Sequence, residues 1–89
     1  MVEEEAEIVN RLGLHARAAA KLVHLAGGFR SRISLSRDGE EVDAKSILGI
    51  LLMAAGQGSR LIIRCDGQDE EDAMRAITHL IASRFDEES

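Results

Sequence analysis

The chain has no proline, tyrosine or tryptophan, and only two phenylalanines and one cysteine in 89 residues. Each shortage narrows what it can be. Without aromatics to stack on bases, and with a net charge of −5, it lacks the signature of a nucleic-acid binder. Cys65 has no partner for an intramolecular disulfide, which suits a reducing cytoplasm. It alternates with Leu61 and Ile63, the pattern of a buried thiol rather than a redox centre. The three histidines are far apart and none pairs with the cysteine at metal-site spacing, so no metal or cofactor is implied. No apolar run reaches the length that spans a bilayer. The opening "MVEEEAEIV" is acidic and lacks the basic start of a signal peptide. With so few aromatics, the core must be aliphatic.

What is present fits one small domain, 1–89. Ala6 to Asn10 is a short apolar stretch expected to be a strand, broken by Gly13. Ala16, Ala19, Ala20, Val23 and Ala26 follow helical spacing and define an expected buried face, stopped by Gly27 and Gly28. "SRISLSRDGEEVD" reads as a hairpin, with Asp38-Gly39 as its two-residue turn. A second helix is expected from Ser46 through "ILGILLMAA" up to Gly56 and Gly58, followed by a strand in "SRLIIRCDG". The last helix should start near Asp69, with Glu70, Glu71 and Asp72 suited to its positive end. Ala73, Ile77, Leu80 and Ile81 form its expected core stripe, and residues 86–89 are expected to fray. The order β-α-β-β-α-β-α in so short a chain predicts an α+β two-layer sandwich: one four-stranded, largely antiparallel sheet with three helices on one face.

The stretch "GLHARAAAKLV" places His15 where the first helix opens. The unpaired first-turn N–H groups and the helix dipole both disfavour an imidazolium there, so the ring is expected to stay neutral and nucleophilic. Once phosphorylated, it would present an anion to those same N–H groups. Arg17 could reach back to the phosphoryl oxygens with its planar fork of donors. Gly13 would let the loop fold closely and leave room for a partner's phosphoryl donor. An ordinary histidine N-cap beside a solvated arginine fits the same spacing.

Arg17, Lys21 and His24 recur at i, i+4, i+7, a basic stripe on an acidic protein and so a candidate docking surface for an acidic partner. His79 lies off its helix's core stripe and reads as a surface residue. In the second helix Ile47, Leu48, Ile50, Leu51, Leu52 and Met53 leave almost no polar face. Not all can point inward, so an exposed apolar patch is expected. Ser46 at its head suits an N-cap; a phosphate there would be tolerated by the helix dipole and would set negative charge beside the patch.

These residues resemble a known family. "GLHARAA" at 13–19 is similar to the active-site motif of HPr, the histidine-containing phosphocarrier family of the bacterial phosphoenolpyruvate–sugar phosphotransferase system. "KSILGILLMAAGQGS" at 45–59 resembles that family's regulatory-serine helix. The likeness runs from about Glu5 to Ile81. It implies an open-faced β-sandwich in which His15 accepts a phosphoryl group on Nδ1 from phosphorylated enzyme I and passes it to a IIA domain of a sugar permease. It implies that Arg17 supports that phosphate, that Ser46 is a target of HPr kinase/phosphorylase, and that Ile47, Leu48 and Leu51 dock partners. Two positions depart from the family pattern: Ala18 replaces the usual proline, and Leu12 stands where a small hydroxylated residue is common.

The leading expectation is therefore a stoichiometric phosphocarrier, a protein substrate of other enzymes rather than an enzyme. The alternative is a regulatory binding module in which Ser46 and His15 control docking without sugar transport. A small acyl-phosphate hydrolase would need a phosphate loop and a water-positioning residue, and neither is visible. A carrier that alternates between partners is most simply a monomer, with neither nucleic acid nor membrane insertion involved.

Overall fold

The computed structural model describes residues 1–89. Its elements alternate as expected: β1 (Val2–Glu7), α1 (Ala16–Gly27), β2 (Arg32–Arg37), β3 (Glu40–Asp43), α2 (Ile47–Met53), β4 (Arg60–Asp66) and α3 (Glu70–Ala82). The strands form one sheet in the order β1-β4-β2-β3, with every neighbouring pair antiparallel.

Period-2 alternation separates the two faces. Ile33 and Leu35 of β2 and Leu61, Ile63 and Cys65 of β4 point into the core, beneath the helices. The other face is open and carries Glu3, Glu5, Arg60 and Arg64. Arg64 bonds Glu3 at 2.7 Å and Glu41 at 2.9 Å, tying both flanks of the sheet to β4. Asp38 and Gly39 both have positive φ, 52° and 85°, as the tight β2–β3 hairpin turn requires.

Four expectations about β1 and the helices shift. The first strand is the acidic run Val2–Glu7 rather than Ala6–Asn10. It lies at the sheet edge on a solvated face, where Glu3 and Glu7 sit opposite Arg64 and Arg60. Charge there stabilises the pairing and blunts the edge against other chains. The buried side of α1 is Ala18, Ala19, Leu22 and Ala26, while Ala16 and Ala20 are exposed. Leu22 offers more apolar surface than any alanine, so the helix turns to bury it. In α3, Met74 joins Ala73, Ile77 and Ile81 in the core and Leu80 is only half-buried. Finally, α2 ends at Met53, before its glycines. Ala54 adopts a left-handed φ of 53° and its N–H bonds the Leu51 carbonyl. The chain then folds back, and the Ala55 carbonyl accepts the Leu14 N–H at 2.9 Å.

The C-terminus also differs from the expected frayed end. Arg84, Phe85 and Asp86 form a tight turn with φ of 61°, 54° and 63°. Left-handed backbone is unfavourable for residues with a Cβ, so this turn needs compensation. Phe85 supplies it as the largest fully buried side chain of the molecule. The Lys21 ammonium donates to the Phe85 carbonyl at 2.7 Å, fastening the turn to α1.

Candidate functional site

His15 is the N-cap of α1, in extended conformation, and its carbonyl accepts the first helical bond from the Ala19 N–H at 2.8 Å. Its Nδ1 accepts the Arg17 backbone N–H at 3.3 Å. A backbone amide can only donate, so Nδ1 carries a lone pair and the neutral ring's proton is on Nε2. Nε2 in turn donates to the side-chain carboxylate of Glu87, brought over by the C-terminal turn. The His15 and Glu87 side chains retain 26% and 16% of their exposure, so the pair is shielded yet the ring stays reachable.

The amides of Ala16 and Ala18 have no acceptor within the chain. With Arg17 they present the first-turn donors of a helix on the Nδ1 side of the ring, a natural place for an anion. The Arg17 side chain is exposed and lines one depression with His15, Leu12 and Lys21.

Asn10 is fully buried beside this arrangement. Its Nδ2 donates to the Gly13 carbonyl at 2.8 Å and to Glu87 at 3.0 Å. The bonds from His15, foremost, and from Asn10 hold the Glu87 carboxyl below its ordinary value. Gly13 has a φ of +68°, and a Cβ there would lie 2.5 Å from the Ala55 carbonyl oxygen. Its role is therefore close packing of the His15 loop onto the turn after α2, and the space expected there for a phosphoryl donor is filled by backbone.

The structure brings His15, Arg17 and Lys21 together and leaves His24 exposed further along α1. Lys21 is half-buried and engaged by the C-terminal turn, so the expected basic stripe is interrupted at its centre. His79 is exposed on α3. Ser46 caps α2, accepting the Gly49 N–H at 3.2 Å. Ile50 and Met53 face the core, while Ile47, Leu48, Leu51 and Leu52 stay 43%, 64%, 37% and 74% exposed, forming the expected patch. The Leu14–Ala55 bond and the packing of α1 on α2 place that patch next to the His15 loop.

Asn10, Phe85 and Glu87 were not anticipated as site residues. One signal for them exists: "RFDEES" puts one of only two aromatics in a charged segment beyond the last helix. A lone phenylalanine there implies a chain that turns back to bury it.

Residues 2–83 match the family described as "PTS HPr component phosphorylation site". The phosphocarrier protein HPr of Cupriavidus necator is 53% identical over 87 residues, 98% of either chain. The crystal structure of HPr-C-His from Thermoanaerobacter tengcongensis superposes with a TM-score of 0.97 at 44% identity, covering 100% of both chains. A crystal structure of an HPr dimer from the same organism superposes at 0.79, covering 98% of this chain and 100% of that one. This chain belongs to the HPr family, the phosphocarrier proteins of the phosphotransferase system.

Proposed function

We propose that His15 is the phosphoryl acceptor, taking the group on Nδ1 from phosphorylated enzyme I and handing it to a IIA domain of a sugar permease. The observation that supports this most is the direction of the ring. Nδ1 holds its lone pair towards the first turn of α1, where the amides of Ala16 and Ala18 have no other acceptor. A phosphoryl group on Nδ1 meets donors at once, and the exposed Arg17 adds a positive fork from the open side. No second basic side chain is free at that spot, since Lys21 is committed to the C-terminal turn. The phosphate is supported without being trapped, as a carrier requires.

Ala18 is compatible with this reading. It is buried at the third helical position and its N–H bonds nothing in the chain, so proline there would remove a donor and no hydrogen bond. Partners dock on the patch of Ile47, Leu48 and Leu51, which adjoins the His15 loop. Ser46 at the head of that patch favours a regulatory layer: its phosphorylation by an HPr kinase/phosphorylase sets negative charge where an acidic partner approaches. The family's place is the cytoplasm; no helix here is long and apolar enough to cross a membrane.

The test is incubation with phosphoenolpyruvate and a cognate enzyme I, followed by intact mass. One acid-labile phosphoryl group, absent in His15→Ala, is expected. An acid-stable adduct, or one that persists in His15→Ala, contradicts the assignment.

A further inference from the structure

We infer that Glu87 is a positioning residue for phosphoryl transfer: its side chain fixes the His15 ring with the proton on Nε2 and carries the countercharge while Nδ1 is phosphorylated. The inference rests on the reading of His15 as acceptor and adds a residue from the far end of the chain.

The ring's two partners leave a neutral imidazole one arrangement. The Arg17 amide must donate to Nδ1, and the Glu87 carboxylate must accept from Nε2. Glu87 is not a drifting surface acid. Buried Phe85 anchors the turn that delivers it, Lys21 clamps that turn, and the Asn10 amide donates to its second oxygen at 3.0 Å. The same amide also donates to the Gly13 carbonyl at 2.8 Å, so Asn10 joins the His15 loop to the Glu87 side chain.

The chemistry follows from the charges. The Nδ1 lone pair attacks the phosphorus of the donor's phosphoryl group, and the donor's bond to phosphorus breaks with its electron pair staying on the donor. His15 then has phosphorus on Nδ1 and a proton on Nε2, a ring with one positive charge facing the Glu87 carboxylate. Onward transfer reverses this: the acceptor's lone pair attacks phosphorus, and the N–P electron pair returns to Nδ1. The Nε2 proton stays in place throughout. Without the countercharge, that proton is lost more readily, and a neutral ring is a poorer leaving group.

Three full-length proteins test this: wild type, Glu87→Gln, and Glu88→Gln as a control for charge removed next door. Nitrogen-15 NMR of the His15 ring reports the tautomer, and quench-flow reports transfer from enzyme I. Thermal unfolding confirms that the variants fold. Wild type and Glu88→Gln are expected to show Nε2–H and equal rates. Glu87→Gln is expected to show mixed tautomers and transfer about tenfold slower. Unmoved ring signals in Glu87→Gln, or equal effects of the two variants, overturn the inference. If the wild type takes no phosphate on His15, the carrier reading fails by itself. The ring signals then still decide the pairing, a shifted tautomer in Glu87→Gln supporting it and an unshifted one overturning it.

Discussion

Gly13 shows how tightly single residues are set around the histidine. Its φ of +68° and the 2.5 Å approach to the Ala55 oxygen leave no room for a methyl group. Gly13→Ala should therefore cost more than about 2 kcal/mol of stability. A urea midpoint equal to that of the wild type would show that the loop can open without loss. Cys65 is the opposite case, a fully buried thiol that burial pushes above its ordinary pKa. It is expected to resist alkylation in the folded protein and to react in urea. The place of His15 and Arg17 at the mouth of α1 was legible in the sequence, because Gly13 and the alanine-rich run mark where the helix opens. Glu87 was not, because contact between residues 72 positions apart has no local signature.

Among the elements, α2 and the C-terminal turn frame the His15 loop. Seven residues make α2 too short to be stable alone, so its cap and its buried pair matter. Ser46→Ala should lower stability by about 1 kcal/mol through loss of the bond to the Gly49 amide. Ser46→Asp keeps a capping oxygen, so it should be near neutral for stability while slowing transfer from enzyme I by adding charge beside the patch. Equal transfer rates for wild type and Ser46→Asp would remove the regulatory layer. Phe85→Ala should cost about 3 kcal/mol and release the Glu87 contact as well. The hairpin and α2 were readable from Asp38-Gly39 and Ser46, residues whose local chemistry sets a turn and a cap. The bounds of β1 were not. Its glutamates take their meaning from Arg60 and Arg64 on a strand more than fifty residues away, so an apolar count misplaces it.

For the whole molecule, the open face of the sheet is a charged, solvated surface. The exposed pairs of Arg64 with Glu3 and Glu41 contribute little each and weaken with salt. Asp69 does more for the fold. The Ser31 hydroxyl, first, and the Arg30 amide hold its carboxyl below the ordinary value, tying the α1–β2 connection to the start of α3. A carboxyl lowered by folding binds protons more readily when unfolded. Its stabilisation is therefore complete above the ordinary carboxylate range and is lost as pH falls through that range to the lowered value. Urea midpoints should fall between about pH 5 and about pH 3, and fall less in Asp69→Asn. An equal fall in both proteins would remove Asp69 from the acid response. Phosphoryl transfer by this protein turns on which atom takes the phosphorus. The measurement that addresses it most directly is phosphorus–nitrogen coupling in the nitrogen-15-labelled protein after phosphorylation by enzyme I. Coupling to Nδ1 of His15, with Nε2 still bearing its proton, is the predicted result. Phosphorus on Nε2, or on any other residue, would contradict the assignment of His15 Nδ1 as acceptor.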